Sequence, residues 1–321
     1  MSDQANARAT MDWPVPPEQT GTRLDAFLRA CLPHLSRREI DGALGDGSFS
    51  VNGHGARKGD RLKAGDRVDF AGCAALLADR PLAEFNLPIP VVYEDASILV
   101  VDKPAGIATH GFSGRDTGTL ANYIAARHPA LLGIGASRWE PGLVHRLDTE
   151  TSGLVLVAKT QDAFERLRRQ FRERHVEKIY QALVWGKCQA AGEIDLPLVH
   201  DPGDARRMRP AVRSSSAKIK SWNARTRYRR LAQSSEATLL EVAMESGVMH
   251  QIRVHLAAIG HPIVADPLYG KDRSETFGLT RHFLHARGLG FRHPENRRAV
   301  KFEAELPREL RAVLDQIGIK F

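Results

Sequence analysis

What this chain lacks narrows its function before any motif is read. It has only three cysteines, Cys31, Cys73 and Cys188, and they lie far apart in 321 residues. One must remain unpaired, and no C-x-x-C or Cys/His cluster offers the spacing of a zinc site. Free thiols in a reducing cytoplasm fit that pattern better than a disulfide-built secreted domain. No window approaches the roughly 18 consecutive apolar residues of a membrane span. Met1 to Thr20 is polar and proline-containing, without an apolar signal-peptide core. There is no P-loop, no G-x-G-x-x-G after a strand and no H-E-x-x-H, so no cofactor motif is present. The expectation is a soluble, cytoplasmic protein.

Acidic charge is also in short supply. Forty-six Lys+Arg against 38 Asp+Glu leave a formal charge of +8 and a pI near 9.6, which favours polyanionic partners. The imbalance is concentrated locally. Ala205 to Ser235 holds ten Lys/Arg and no acidic residue, with Met208, Trp222 and Tyr228 interleaved and Ser214-Ser215-Ser216 as a turn. A flexible basic loop would have this composition too. Cations for phosphates beside planar faces for unstacked bases fit RNA contact better.

Periodicity divides the chain. Residues 1–20 read as a flexible lead-in. Leu24, Phe27, Leu28 and Cys31 share one helical face, and a second helix opens with the capping-box pair Ser36 and Glu39. Short strands around Phe49–Val51 and Arg67–Phe70, with Asn52-Gly53 as a hairpin turn, complete a small unit over 21–72. Residues 73–90, interrupted by Pro81, Pro88 and Pro90, read as a linker. A larger domain over 91–321 follows. It carries strands at Ile98–Val101, Leu154–Ala158, Leu239–Met244, Phe283–Leu289 and Val300–Ala304. Helices are expected at Leu120–Ala126, Gln161–His175, Gln251–Ile259 and Arg308–Ile317.

The stretch Pro141 to Lys159 stands out, because a charged turn, His145-Arg146-Leu147-Asp148, runs into the apolar strand Leu154–Ala158. A strand that holds such a turn still is a common seat for reactive groups. Taken alone, though, a carboxylate there is most often a cap, a turn former or an ion-pair partner. Arg253, on an otherwise apolar helix face, needs an anionic partner if buried, and Asp148 is one candidate. No second acid accompanies Asp148 in the way a hydrolytic pair would require.

His145-Arg146-Leu147-Asp148-Thr149-Glu150-Thr151-Ser152-Gly153-Leu154 is similar to the H-R-L-D-x-x-T-S-G-L motif of the RluA-type pseudouridine synthases. The resemblance runs on, in order, through Val101-Asp102-Lys103-Pro104-Ala105-Gly106 with His110, Lys178-x-Tyr180, His250-Gln251-Ile252-Arg253-x-His255, Gly260-His261-Pro262-Ile263 and Asp266-Pro267-Leu268-Tyr269-Gly270. Arg23-Leu24-Asp25-x-Phe27-Leu28, Ser36-Arg37 and Val51-Asn52-Gly53 resemble the S-four RNA-binding domain.

Together these resemblances imply an α+β fold, a mixed and mostly antiparallel sheet flanked by helices, with a small α/β RNA-binding domain ahead of it. They imply isomerisation of uridine in RNA by one aspartate without cofactor or metal, in large-subunit (23S) ribosomal RNA, by a monomer. Carried over, Asp148 is the reactive carboxylate, Tyr180 stacks on the base and Arg253 holds Asp148 ionised. Arg146 helps flip the uridine out of its stack. His145, Lys103, His250 and Gln251 belong to the substrate surroundings, and Arg37 and Arg38 to the RNA-binding face. One departure stands out: the family reads T-G-R-T where this chain has Ser246-Gly247-Val248-Met249. That leaves open an RNA-binding protein without turnover, or a transfer-RNA enzyme.

Overall fold

In a computed structural model, the chain is described at residues 8–113, 116–211, 220–270 and 275–320. The turn expected at Ser214-Ser215-Ser216 lies outside these residues. The described residues fall in two compact units, one drawn from residues 8–87, 110–132 and 136–141, the other from 88–109, 133–135 and 142–320.

The first unit holds strands β1 (Arg8–Pro14), β2 (Phe49–Val51), β3 (His54–Gly55) and β4 (Arg67–Cys73) in the order β1-β4-β2-β3. Helices α1 (Leu24–Cys31) and α2 (Arg37–Gly45) bury Leu24, Phe27, Leu28 and Ile40 in one core with Phe49 and Phe70. The capping box forms as expected: Ser36 N–H donates to Glu39, and the Ser36 hydroxyl accepts from Glu39 N–H. Asn52 and Gly53, both at positive φ, make the tight turn between β2 and β3.

Two features differ from the sequence reading. Arg8–Pro14, expected to be flexible, pairs antiparallel with β4 along seven residues, because Ala9 and Trp13 alternate onto the core. The end of the expected linker is ordered as well. Leu82 and Phe85 give carbonyls to Asn122 and Arg127, and Glu84 accepts from Gly118 N–H. These bonds tie it to helix α4 (Leu120–Arg127), so residues 110–132 belong to the first unit rather than to a continuous second domain.

The second unit is built on a nine-stranded sheet. Its strands are β5 (Val91–Glu94), β6 (Ile98–Lys103), β7 (Ser152–Ala158), β8 (Glu177–Trp185), β9 (Ala191–Asp195), β13 (Arg225–Gln233), β14 (Ala237–Met244), β15 (Leu284–Arg292) and β16 (Ala299–Glu303). They run β5-β6-β7-β15-β8-β14-β13-β9, with β16 on β15. Every pairing is antiparallel except β7 with β15. A smaller sheet joins β10 (Leu198–Asp201), β11 (Asp204–Pro210) and β12 (Ser221–Trp222).

β7 is buried at every residue, as its unbroken apolar run requires of a central strand. Leu154, Leu156 and Ala158 pack with Phe164 and Leu167 of helix α5 (Gln161–Arg172). Two of that helix's arginines are used internally, Arg166 on Asp162 and the Pro294 carbonyl, Arg168 on the Val144 carbonyl. Helices α6 (Gln251–Ala258) and α7 (Arg308–Gln316) complete the unit.

Gly153 is where the motif strand meets β15. Its φ is +121°, and an added Cβ would fall inside contact distance of the Ala286 backbone. Gly153→Ala therefore forces β7 away from β15 and is expected to cost about 3 kcal/mol or more, read as a lowered unfolding midpoint in urea. A variant as stable as the parent would show that the close approach matters little.

Candidate active site

The turn that carries Asp148 is fixed from several directions. Thr109 Oγ1 both donates to the Leu147 carbonyl and accepts from the Leu147 N–H. The Asp148 carbonyl accepts from Thr151 N–H at 3.0 Å. Lys103, fully buried at the end of β6, donates from Nζ to the carbonyls of Pro104, Ile107 and Thr149 at 2.9, 2.6 and 3.0 Å. Burial draws its pKa down to about 7, opposed by the charge of Asp148, and three carbonyl acceptors favour the ammonium form.

Behind the turn stand three histidines. His145 stacks on Phe171 and accepts the Leu156 N–H at Nε2, 3.0 Å. His282 shares a 2.8 Å hydrogen bond with Thr151 Oγ1, and His285 a 2.9 Å bond with Ser152 Oγ. Burial first, with nearby cations second for His145 and His282, lowers their pKa values to about 3, 3 and 4.

The charged side lies in front. The Asp148 side chain, 20% exposed, accepts from Arg253 Nη1 at 3.2 Å. Arg253 is only 5% exposed and has a second, tighter carboxylate: Nε and Nη2 grip Asp266 at 2.7 and 2.9 Å. Burial disfavours the charge on Asp266, and the Arg253 hydrogen bonds outweigh it, so its pKa lies below the ordinary value. Asp266 Oδ1 also accepts the N–H groups of Leu268 and Tyr269, which folds the Asp-Pro-Leu-Tyr turn around the pair.

His250 caps α6 in the left-handed conformation (φ 56°), with Nε2 at 3.8 Å from Asp148 Oδ2. Its Nδ1 lies 2.9 Å from the Tyr269 hydroxyl, which accepts from Met208 N–H. The hydroxyl thus ties His250 to the Met208 backbone and fixes the imidazole beside Asp148. The guanidinium groups of Arg253 and Arg207 lie over the Tyr269 ring, 5.2 and 5.5 Å from its centre.

Asp148 opens into a cavity of about 430 Å³ lined also by Arg146, Tyr180, Met249, His250 and Arg253. Arg146 is exposed and makes no hydrogen bond or ion pair with a described residue. Tyr180 is buried on β8, and burial, then the Asp148 charge, push its phenol pKa up, so the ring stays protonated. Gln251 borders the cavity, but its amide is spent internally: Oε1 accepts from Ser246 Oγ and Val248 N–H, and Nε2 donates to the Arg225 carbonyl and Thr226.

Of the expected site residues, Asp148, Tyr180, Arg253, Arg146, His250 and Gln251 thus meet at one cavity. His145 and Lys103 turn their polar atoms inward, bracing the turn instead of facing the cavity. Arg37 and Arg38 are exposed in the first turn of α2, in the other unit. Asp266 and Tyr269 were named only as parts of a turn motif; nothing in their spacing predicts that Asp266 takes the stronger share of Arg253.

A carboxylate ion-paired to a clamped arginine, beside a buried tyrosine and a free arginine, is a site for chemistry on a planar group within a polyanion. The family model for RNA pseudouridylate synthase matches residues 97–258. The chain is 42% identical to an RNA pseudouridine synthase of Chloroflexus aurantiacus over 94% of its length and 92% of the relative's. It is 35% identical to ribosomal large subunit pseudouridine synthase D of Xanthomonas campestris, covering 94% and 91%. A solved structure of human RNA pseudouridylate synthase domain containing 4 superposes with a TM-score of 0.57 at 25% identity, covering 72% of this chain and 94% of that one. The chain belongs to the RNA pseudouridylate synthase family. It is an isomerase that acts on RNA, with the α+β fold expected of it.

The histidines set a pH dependence. Between about pH 4 and 6.5 the unfolded chain binds protons at His145, His282 and His285 that the folded chain excludes, so stability falls as pH drops. These three are expected to give the dependence of log K for unfolding on pH a slope of about three protons near pH 5, to which His250 and His255, lowered by burial as well, add; His285→Gln should remove about one. A flat profile from pH 7 to 5 in urea titrations would refute the neutral assignment.

Proposed function

We propose that Asp148 is the reactive carboxylate, and that this chain isomerises uridine in large-subunit ribosomal RNA. The observation that carries the reading is the chain Asp266–Arg253–Asp148. The buried guanidinium is held in place by one carboxylate and presents the other to the cavity. A fixed anion can attack the target at the base or at the sugar, or assist elimination at C1′; each path detaches the base, turns it and rejoins it through carbon.

Tyr180, kept as a neutral phenol, offers a planar face and an O–H donor rather than a base. Arg146, free at the rim, is placed to follow the flipped nucleotide and fill the space it leaves. The ribosomal assignment is supported by relatives named as large-subunit enzymes that match over nearly the whole chain. A ribosomal RNA substrate supports a cytoplasmic location; separately, no helix among the described residues is long and apolar enough to cross a membrane. We assign it as a monomer.

Asp148→Asn is expected to abolish pseudouridine formation while RNA affinity changes less than a few-fold. Mapping pseudouridines in ribosomal RNA from cells with and without the gene identifies the uridine. Residual turnover in the variant would remove Asp148 from its role, and an unchanged map would remove the ribosomal substrate.

The first unit, with Ser36-Arg37-Arg38 opening a capped helix over a small sheet, is assigned as an S-four-like RNA-binding domain. Arg37 and Arg38 occupy a helix start, where the dipole disfavours cations, which suits a phosphate partner. Arg37→Glu with Arg38→Glu should raise KM for structured RNA roughly ten-fold or more and shallow the salt dependence of binding, with kcat retained. An unchanged KM would leave this face without a role in substrate binding.

A further inference from the structure

Residues 246–249 form a wall with a cavity on each side. One is the Asp148 cavity. The other, of about 580 Å³, is lined by Arg174, His200, Met208, Trp222 and Asn223, and Gly247, Val248, Met249 and His200 border both. The wall is rigidly held. Gln251 takes the Ser246 hydroxyl and the Val248 N–H, and Lys178 Nζ donates to the Ser246 carbonyl at 2.9 Å.

The second cavity has the chemistry of a base site. Met208, 2% exposed, belongs to an apolar cluster against which Trp222, Val248 and Met249 pack. The His200 ring stands edge-on to Trp222, centroids 5.3 Å apart at 86°. Lys220 Nζ lies over the Trp222 ring at 5.3 Å, a flexible chain that an entering base would displace toward its phosphate, and exposed Arg174, 4.0 Å from Glu245, also lines the cavity. Asn223, exposed and without a hydrogen bond to a described residue, offers an amide donor and acceptor to a base edge. An apolar floor, an indole face, one amide and flanking cations suit an unstacked nucleobase with its phosphate at the rim.

We propose that this cavity is a second nucleotide subsite, which stacks an unpaired base next to the target uridine on Trp222 while the 246–249 wall sets the step between the two bases. The occupant belongs to the same RNA because the two cavities are adjacent, sharing Gly247, Val248, Met249 and His200 in their linings. Such a site reads the neighbourhood of the uridine, so it contributes to choosing which uridine is modified. The inference rests on the Asp148 cavity holding the target nucleotide.

The test uses the full-length protein and an RNA hairpin carrying the uridine identified by the mapping above, alone or with an abasic nucleotide immediately 5′ or 3′ of it. Trp222→Ala is expected to raise KM about ten-fold, the size of one lost base–aromatic stack, with kcat within two-fold. Trp222→Phe should recover most of the loss. One of the two abasic RNAs should raise KM for the wild type by a similar factor and make Trp222→Ala silent. A wild type indifferent to both abasic positions overturns the subsite even if Trp222→Ala misfolds. So does a Trp222→Ala penalty that persists on both. A wild type that forms no pseudouridine on any RNA sinks the reading of the Asp148 cavity and the subsite with it, an outcome distinct from normal turnover without flanking-base dependence.

Discussion

A buried guanidinium cannot stand without a carboxylate, and Arg253 has two. Removing one partner of a buried ion pair costs roughly 3–5 kcal/mol, because the charge left behind has lost its water as well as its counterion. Asp266 supplies the bidentate contact that makes Arg253 tolerable in the interior, and so the weaker, single contact to Asp148 need not hold the fold together. Asp148 is thereby left at the cavity surface, with lone pairs free to engage a substrate. The Asp266 turn and the first turn of α6 lie 13 residues apart, the Asp148 turn 105 residues from Arg253, and this one arginine joins all three.

The groups behind Asp148 follow the opposite electrostatic rule. His145, His282 and His285 are neutral where they touch the motif strand, each meeting the backbone or a hydroxyl rather than a carboxylate. Two buried cations stand on this side as well, both engaged elsewhere: the Lys103 ammonium is surrounded by carbonyl oxygens, and Arg281 donates to Ser152 Oγ and pairs with Glu309. Neutral hydrogen bonds position the turn without competing for the anion, and the cation in direct contact with Asp148 is Arg253, at 3.2 Å. A carboxylate that is held yet not fully neutralised suits nucleophilic or eliminative chemistry.

Much of the site was legible in the primary structure, because the HRLD turn and the strand after it are contiguous and strand burial follows from an unbroken apolar run. Elements whose partners are local, such as the Ser36 capping box and the Asn52-Gly53 turn, appear where the sequence places them. The basic stretch around Arg225 to Arg230 was harder to read. Within the stretch there is no acid, but the adjoining strands carry several: Arg225 and Arg227 pair with Asp195, Glu193 and Glu245, and Arg229 with Glu241. A linear charge count cannot see a cross-strand partner, and so it overstates the cations left for RNA. The Arg8–Pro14 strand was hidden for a related reason, since its pairing partner lies about sixty residues away.

By itself, then, the sequence determined the family, the reactive turn and the secondary structure that carries it, since each is written in residues close along the chain. Only the tertiary structure decided which carboxylate clamps Arg253, that His145 and Lys103 face inward, and that a second aromatic cavity adjoins the first. Those outcomes depend on how the chain packs in space, even where the partners are only 11 or 13 residues apart, as His145 and Leu156 or Arg253 and Asp266 are. That packing is set by the register of a mixed sheet and the burial of charge.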